Sequence, residues 1–298
     1  MTLSPGDVLM ALAQVWPHSP LPEELPKLPD QVRIEMNSRK LMKGDIFVAV
    51  PGSQRDGRDF IEQALDAGAS LVLAQGADSD VRLEGRVLQL PHLSVRLGEL
   101  GRALFKVPTD LSVIAVTGTN GKSSVTHYIA ALSEALGVPT GLIGTLGVGR
   151  PGALSDSGLT TPGPLALQAA LGELAQQGVR CVALEASSHA LDQHRLDAVN
   201  INVGVFTNLT RDHLDYHGSM AAYAASKAKL FRRTELTLAV VNGDDPLARL
   251  MLAGCTSNVR VLATGQDEAV TLRVLDWQAF EQGQQAMIAT PEGEKMLS

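Results

Sequence analysis

A short apolar, β-branched run leads directly into a glycine-containing turn within residues 111–124, LSVIAVTGTNGKSS. Gly118 and Gly121 allow the chain to turn tightly, and Lys122 opens the helix that is predicted to follow. Backbone N–H groups at such a turn point at an anion, and the helix N-terminus adds a favourable partial charge. Lys122 would reach the terminal phosphates of a nucleotide, and the hydroxyl next to it would ligate Mg²⁺. The segment predicts a buried strand that ends in a phosphate-binding loop.

The match to the common phosphate-loop pattern is incomplete, because Val116 stands where that pattern has a glycine. The surroundings favour phosphate binding over a plain structural turn, since a strand precedes the loop and a helix follows it. Either Ser123 or Ser124 offers the hydroxyl for Mg²⁺. The helix is predicted over Ser123–Leu136 from the spacing of its apolar residues, which are Val125, Tyr128, Ile129, Leu132 and Leu136.

Length and composition exclude several classes of protein. The 298 residues suggest two domains, and 45% apolar with 19% charged residues is the composition of a globular protein with ample core. A formal charge of −7 argues against a nucleic-acid partner, which requires a basic surface. Cys181 and Cys255 lack metal-ligand spacing and indicate a reducing compartment. With no recognisable signal peptide or membrane-spanning run, we expect a cytoplasmic protein without a membrane partner.

The order of the predicted elements indicates an α/β protein with two domains. Residues 1–108 are predicted to form a small α/β domain. Residues 109–298 are predicted to form a phosphate-loop domain with a mainly parallel sheet, because near-continuous apolar strands alternate with helices. We expect the last three predicted strands to form an antiparallel meander at residues 259–263, 271–276 and 285–289.

Polar residues follow the predicted strands of the second domain at their carboxyl ends, where doubly wound sheets bind ligands. Glu185 closes one strand and suits Mg²⁺, which prefers oxygen ligands and usually takes one or two protein carboxylates. His213 follows another strand, with Asp215 and His217 close by. A single imidazole beside a divalent cation is favoured over a zinc site, and a hydrogen-bonded turn residue is the plainer alternative.

Lys227 is predicted to lie on the apolar side of the helix Ser219–Phe231, because Met220, Tyr223 and Leu230 share its three- and four-residue spacing. A buried ammonium group is costly unless it is neutralised, paired or chemically altered. Snorkelling of the side chain is the ordinary explanation for such a position. The functional explanation is a nearby anion or metal site that the lysine, or a modified lysine, serves.

Taken together, these segments resemble the Mur ligases, and within that family the members that add the third residue of the peptidoglycan stem peptide. The resemblance extends from about Val32 onward. It rests on TGTNGKS at 117–123, TTP at 160–162, EASSH at 185–189, FTNLTRDHLDYHG at 206–218 and Tyr223-x-x-x-Lys227. The segments NSR at 37–39, GDIFVAVPG at 44–52 and DG at 56–57 are similar to the family's UDP-binding domain.

The resemblance implies ATP-dependent amide formation in peptidoglycan biosynthesis. The family activates the terminal D-Glu carboxylate of UDP-MurNAc-L-Ala-D-Glu as an acyl phosphate, which the amine of a diamino acid then attacks. For this chain meso-diaminopimelate is expected in preference to L-lysine, and Val116 is the family's own variant of the loop. The implied ATP-binding residues are Gly118, Thr119, Asn120, Gly121, Lys122, Ser123, Ser124 and Asn242, the last of them near the adenine.

The resemblance also implies two Mg²⁺ ions and a modified lysine. Ser123 and Glu185 are expected at one Mg²⁺ ion, and His213 is expected at the second together with Lys227. The lysine at that position is typically carbamylated in the family, which removes the buried positive charge. Lys122, Lys227, His213 and Glu185 are thus the implied catalytic residues.

Implied contacts to the UDP-substrate come from both predicted domains. They are Ser38, Ser53, Gln54 and Arg55 in the first domain, and Asn120, Thr160, Thr161, Ser187, Gln193 and Arg195 in the second. Asn37 stands where the family more often has Asp, and Ala186 stands where Val is usual.

The family has a third, Rossmann-like domain that selects the amino acid and completes the ATP site, and the sequence stops at Ser298 without it. We therefore expect a monomer that binds the UDP-substrate without competent catalysis. The alternatives are a non-catalytic nucleotide-sugar binding module, a phosphate-loop kinase or NTPase, and a folate-type ligase of the same superfamily. Phosphate release that depends on the amine and the UDP-substrate separates a ligase from the first two, and the UDP-binding domain argues against the last.

Overall fold

The computed structural model describes residues 2–52, 55–77, 80–281 and 283–297. The chain divides into two units. The first comprises residues 1–107 together with 164–173, and the second comprises residues 108–163 together with 174–298. No helix in the described part of the chain is long and apolar enough to span a membrane.

The first unit contains a five-stranded sheet with strand order β1-β2-β3-β5-β4. All neighbouring strands in this sheet are parallel except β4, which runs antiparallel to β5. Its elements are α1 (Pro5–Val15), β1 (Ile34–Glu35), β2 (Ile46–Ala49), α2 (Ile61–Asp66), β3 (Leu71–Gln75), β4 (Arg82–Glu84), β5 (Val87–Leu90) and α3 (Leu93–Leu104), with 3₁₀ turns at Ser38–Lys40 and Gly57–Phe60.

Helix α1 packs against the sheet of the first unit because its sequence combines a good N-terminus with one apolar face. The Ser4 hydroxyl accepts a hydrogen bond from the Asp7 amide at 3.2 Å, and Pro5 occupies the first helical position. The buried face joins a core formed with α3 and strands β2, β3 and β5, and it carries Val8, Ala11, Leu12 and Val15.

The second unit contains a sheet of eleven strands among its described residues, in the order β16-β15-β14-β13-β12-β11-β6-β10-β7-β8-β9. Its strands are β6 (Ser112–Thr117), β7 (Thr140–Gly144), β8 (Gly147–Arg150), β9 (Ala153–Ser155), β10 (Cys181–Glu185), β11 (Val203–Phe206), β12 (Leu238–Asn242), β13 (Arg260–Gly265), β14 (Leu272–Phe280), β15 (Gly283–Thr290) and β16 (Gly293–Leu297). Its helices are α4 (Lys122–Ala135), α6 (Ser188–Asp192), α7 (Leu214–His217), α8 (Met220–Ala228) and α9 (Ala248–Met251), and α5 (Pro164–Gln176) contributes to both units.

The centre of this sheet is parallel from β7 through β10, β6 and β11 to β12. Strands β6 and β10 are almost wholly buried, which explains their apolar sequences. The predicted α/β class with a mainly parallel sheet is confirmed. The carboxyl ends of these strands meet at one edge of the sheet and bring the polar residues that follow them together.

The predicted terminal meander is partly wrong. Strand β13 pairs in parallel with both β12 and β14, and at this end of the sheet the antiparallel pairs are β14 with β15 and β15 with β16. The connection from β12 to β13 contains α9, whose single turn is too short to produce a recognisable helical period. Strand β13 therefore continues the parallel sheet.

Helix α4 forms as predicted, but several of the apolar residues whose spacing predicted it are exposed. Tyr128, Leu132 and Leu136 are 68%, 66% and 82% exposed. The side buried against β7 and β10 carries the small residues Thr126 and Ala130 instead. Close packing of this helix on the sheet requires small side chains, so the apolar period indicated the helix without identifying its buried face.

Candidate active site

The phosphate loop, residues 118–121, connects the end of β6 to the start of α4. Gly118 has a φ of 147° and Gly121 a φ of 83°, conformations that favour glycine. A Cβ atom on Gly118 would overlap the hydroxyl of Thr207. The conformation of the loop therefore requires glycine at position 118 both for its backbone and for the space beside it.

The segment after β11, residues 207–210, holds the phosphate loop through several hydrogen bonds. The Thr119 amide donates to the Asn208 carbonyl at 2.9 Å, and the Asn120 amide donates to Asn208 Oδ1 at 3.0 Å. Thr207 Oγ1 donates to the Asn120 carbonyl at 2.6 Å, and the Thr210 amide donates to Thr119 Oγ1 at 2.9 Å. The amides of Thr119 and Asn120 are thus engaged within the protein, whereas the first amides of α4 have no partner within a helix and can donate to an anion.

Lys122 lies over the phosphate loop at the start of α4. Its Nζ donates to the carbonyl of Gly118 at 3.1 Å and to the carbonyl of Thr119 at 3.0 Å. Burial lowers the pKa of Lys122, and the negative charges of Glu185 and Asp212 oppose that shift. The side chain is thus positioned to exchange backbone carbonyls for phosphate oxygens.

Glu185 ends β10 with its carboxylate buried beside the N-terminus of α4. Its Oε1 accepts hydrogen bonds from Ser123 Oγ at 2.8 Å and from the Thr145 amide at 2.9 Å, and its Oε2 accepts from Thr145 Oγ1 at 3.2 Å. A Cβ atom on Gly144 would overlap this carboxylate, so Gly144 makes the space for it. The serine hydroxyl and the carboxylate are oxygen donors of the kind that Mg²⁺ prefers.

Lys227 is buried on α8, as its helical spacing predicted, and is 1% exposed. Its Nζ donates to the Gly118 carbonyl at 2.8 Å and lies 4.6 Å from the centroid of the Tyr223 ring. Among the described residues no carboxylate lies within ion-pair distance of it. Burial lowers the pKa of Lys227 to about 7, and the positive charge of Lys122 acts in the same direction. A neutral amine is therefore available at a carbonyl of the phosphate loop.

An aromatic cluster lies beside Lys227 and includes His189, to which the sequence assigned no individual role. The His213 ring is 6.2 Å from that of Tyr223 and 4.9 Å from that of His189, and the His217 ring is 5.2 Å from that of Tyr223. Tyr223 thus contacts both Lys227 and His213, the two side chains predicted at the second cation. Burial lowers the pKa of His189 and of His217.

Metal ligation by this cluster alone gains no support from the geometry. Within the part of the chain that the structure describes, no group of three or more His, Cys, Asp or Glu side chains is arranged to hold a metal ion. His213 pairs instead with its neighbour Asp212, at 3.4 Å between Nε2 and Oδ2. The zinc alternative is therefore not favoured.

Five of the predicted substrate-binding residues of the second unit form one hydrogen-bonded group around Glu185. Thr161 Oγ1 donates to the Glu185 carbonyl at 2.6 Å, and the Ser187 amide donates to Thr161 Oγ1 at 3.2 Å. Arg195 donates from Nη1 to the Thr161 carbonyl at 2.8 Å and from Nη2 to Gln193 Oε1 at 2.6 Å. Thr160 joins through Thr145, whose hydroxyl oxygen lies 2.9 Å from Thr160 Oγ1.

The other predicted site residues have mainly local contacts. Asn242 Nδ2 donates to the Thr207 carbonyl at 2.9 Å, so this side chain supports the segment that holds the phosphate loop. Ser38 begins a 3₁₀ turn that is capped by Asn37, and Arg55 is exposed after β2. Ser53 and Gln54 lie outside the described residues.

Two family models match the chain. The one described as "Mur ligase middle domain" matches residues 116–297, and the one described as "Mur ligase family, catalytic domain" matches residues 32–103. Together they include every predicted site residue.

Curated relatives match most of the chain. The UDP-N-acetylmuramoyl-L-alanyl-D-glutamate–2,6-diaminopimelate ligase of Chromobacterium violaceum is 43% identical over 266 residues, which cover 88% of this chain and 54% of that protein. The ligase of the same name from Xanthomonas campestris is 47% identical over 247 residues, which cover 82% and 49%. The chain spans about half the length of the curated relatives it matches.

Solved structures share the fold. A structure of UDP-N-acetylmuramoyl-L-alanyl-D-glutamate–2,6-diaminopimelate ligase matches with a TM-score of 0.80 at 30% identity, covering 100% of this chain and 60% of that chain. The MurF ligase from Thermotoga maritima in complex with ADP matches with a TM-score of 0.63 at 23% identity, covering 89% and 57%. The second likeness concerns the fold alone.

Replacement of Lys227 by methionine tests the buried amine. Between pH 7 and pH 10.5 the unfolded chain, whose lysine has its ordinary pKa of 10.5, binds more protons at this position than the folded chain. The free energy of unfolding of the wild type should therefore rise over this range relative to Lys227→Met. We expect the variant to be more stable near pH 7 and its advantage to shrink by pH 9.5, measured by urea unfolding in buffers free of carbon dioxide.

Lys229→Met is the matched control, because Lys229 is half-exposed and donates to Asp192 at 2.8 Å. The difference in unfolding free energy between Lys229→Met and the wild type should change with pH much less than the difference for Lys227→Met. A difference for Lys227→Met that stays constant between pH 7 and pH 9.5 would contradict a neutral buried amine.

Proposed function

The chain belongs to the Mur ligase family, and on that premise we propose that it is an ATP-dependent amide ligase of peptidoglycan precursor synthesis. Its substrates would be UDP-MurNAc-L-Ala-D-Glu and a diamino acid, meso-diaminopimelate in preference to L-lysine. The observation that carries this proposal is the hydrogen bond from the buried Lys227 amine to the carbonyl of Gly118 within the phosphate loop. It links the phosphate loop to the lysine for which the family resemblance implies carbamylation.

The proposed reaction has two steps. The γ-phosphoryl group of ATP passes to a carboxylate oxygen of D-Glu and ADP leaves, which produces an acyl phosphate. The amine of the diamino acid then attacks the carbonyl carbon, inorganic phosphate leaves, and the amide forms as the nitrogen loses a proton. Since little covalent chemistry falls to the protein in phosphoryl transfer, its part is to position the groups and stabilise charge.

The first amides of α4 and the Lys122 ammonium supply this stabilisation for the phosphates. The helix N-terminus carries a partial positive charge and unpartnered N–H groups. Lys122 Nζ already lies over the loop, where it contacts two carbonyls. Contact with phosphate oxygens would replace those bonds with charge-assisted ones, which are stronger.

Ser123 and Glu185 fit one Mg²⁺ ion because both present oxygen atoms at the N-terminus of α4. When bound, the ion neutralises charge on the phosphate groups. A second ion would be held by His213 and a carbamylated Lys227. Lys227 fits that modification because only a neutral amine combines with carbon dioxide, and burial already favours the neutral form.

The network around Thr161 and Arg195 fits the anionic end of the UDP-substrate. Arg195 is partly buried and donates from Nη1 to Thr161 and from Nη2 to Gln193, so contacts within the protein hold the guanidinium plane. A guanidinium held in this way recognises carboxylate or phosphate groups with little loss of side-chain entropy. The proximity of this network to Glu185 would bring the substrate carboxylate close to the phosphate loop.

Substitution of Gly118 by alanine tests nucleotide binding. The added Cβ would overlap the Thr207 hydroxyl, so the loop must move away from the segment that holds it. We expect Gly118→Ala to weaken binding of a non-hydrolysable ATP analogue with Mg²⁺ at least about tenfold, or about 1.4 kcal/mol, by isothermal titration calorimetry. Gly178→Ala is the control, because Gly178 also has a positive φ, of 81°, yet has open space around its Cβ position. Equal affinities for the two variants would contradict a phosphate-binding role for the loop.

Binding of UDP-MurNAc-L-Ala-D-Glu tests the substrate directly. We expect Arg195→Met to weaken its binding about tenfold or more in calorimetry, because a charge-assisted contact to an anion is lost. The affinity for the ATP analogue should not change, which would show that the phosphate loop is intact. Arg180→Met, at an exposed arginine of the same unit, should bind the substrate like the wild type.

One outcome would reject the proposed ligase, and another would reject only the role of the Arg195 network. Failure of the wild type to bind the UDP-substrate would favour a phosphate-loop kinase or NTPase. Equal substrate affinity in Arg195→Met and the wild type would show that the Arg195 network does not bind the substrate.

A further inference from the structure

Thr117, the last residue of β6, carries a buried hydroxyl that has no hydrogen-bond partner among the described residues. Its backbone carbonyl is satisfied by the Thr207 amide at 3.0 Å, so the orphan atom is the side-chain oxygen alone. A buried hydroxyl without a partner destabilises the folded state. Such an atom at the edge of a site indicates a partner that the protein chain does not supply.

The register of the sheet shows which side the Thr117 side chain occupies. Thr117 pairs with Phe206 and Ala115 pairs with Gly204, and residues paired in a parallel ladder point to the same face. A Cβ atom on Gly204 would contact Leu230 and Phe231, in the 3₁₀ turn that continues α8. Because Thr117 and Ala115 are two residues apart, Thr117 also points to the α8 face.

Lys227 reaches the end of β6 from this same face. Its Nζ donates to the carbonyl of Gly118, the residue directly after Thr117, and lies over the face of the Tyr223 ring. A carbonyl oxygen and an aromatic face both attract an N–H group or a positive charge. Neither attracts a carboxylate, since the ring face is electron-rich.

Carbamylation converts the Lys227 amine, which donates hydrogen bonds, into an anionic group that also accepts them. The Lys227 nitrogen attacks the carbon of carbon dioxide, an N–C bond forms, one C=O electron pair moves to oxygen, and the nitrogen releases one proton to solvent. The product keeps one N–H, which can retain the bond to the Gly118 carbonyl, and it adds two oxygens that share one negative charge. Those oxygens need donors that the amine did not need.

We propose that the Thr117 hydroxyl donates a hydrogen bond to the carboxylate that Lys227 carries after carbamylation, and so acts as a positioning residue for it. This inference rests on the proposed carbamylation of Lys227. The carbamate would supply the hydrogen-bond acceptor that the buried Thr117 hydroxyl otherwise lacks. This arrangement also separates the two cation sites, with Ser123 and Glu185 on the α4 face of the strand ends and Lys227 and Thr117 on the α8 face.

The test measures carbamate formation, independently of turnover. The whole 298-residue chain is equilibrated with ¹³C-labelled carbon dioxide and bicarbonate, and the carbamate resonance is integrated by ¹³C NMR at several concentrations. We expect Thr117→Val, which keeps the shape of the side chain, to require about tenfold more carbon dioxide for half occupancy, because a hydrogen bond to a charged group is lost. Thr117→Ser should stay within about twofold of the wild type, since it restores the hydroxyl.

A purely structural role for Thr117 predicts a different result. Removal of an unpartnered hydroxyl should then leave the carbamate unchanged and leave the fold as stable or more so. Thr117→Ala also lacks the hydroxyl and repeats the test should the valine variant fail to fold. Thr140→Val is the matched control, because Thr140 is a buried threonine of β7 whose hydroxyl bonds to the Val138 carbonyl at 2.9 Å.

The outcomes separate this inference from the function on which it rests. Equal carbamate occupancy in the wild type, Thr117→Val and Thr117→Ala would overturn the role of Thr117 while leaving carbamylation in place. Absence of a carbamate resonance in the wild type would overturn both. Loss of occupancy in Thr117→Ser as large as in Thr117→Val would also overturn the hydroxyl's role.

Discussion

The contact between the buried Lys227 amine and the Gly118 carbonyl is the interaction on which the proposed site depends. A lysine that is 1% exposed, without a carboxylate in ion-pair distance among the described residues, is expensive as a cation. The fold tolerates it because burial favours the neutral amine. The proposed carbamate also requires a neutral amine beside the phosphate loop. The burial that makes a charged Lys227 costly therefore favours the form that the proposed function needs.

The other residues of the candidate site lie on the two faces of the sheet around the end of β6. On the α4 face, Glu185 and Ser123 form an oxygen-donor pair, and on the α8 face Lys227 meets the loop. The segment 207–210 fixes the loop between these faces through hydrogen bonds that the protein itself supplies. Preorganisation of this kind lowers the entropy that ligand binding must overcome.

Much of this arrangement was accessible from the sequence because it depends on local patterns. The glycines of the phosphate loop, the acid that ends β10 and the helical spacing of Lys227 each follow from rules that act within one element. The parallel pairing of β13 and the exposed side of α4 did not, since both depend on how separate elements pack. The unpartnered Thr117 hydroxyl, the ring contacts of His189 and the hydrogen bonds that Asn208 accepts could not be predicted for the same reason, because ordinary residue types acquire a role only through tertiary contacts.

Titration of the ¹³C-carbamate resonance with Mn²⁺, in the presence of a non-hydrolysable ATP analogue, tests the central claim most directly. If carbamylated Lys227 holds a divalent cation beside the phosphate loop, paramagnetic Mn²⁺ should broaden that resonance strongly, and His213→Ala should reduce the broadening. A carbamate resonance that stays sharp at saturating Mn²⁺ and nucleotide would contradict the account.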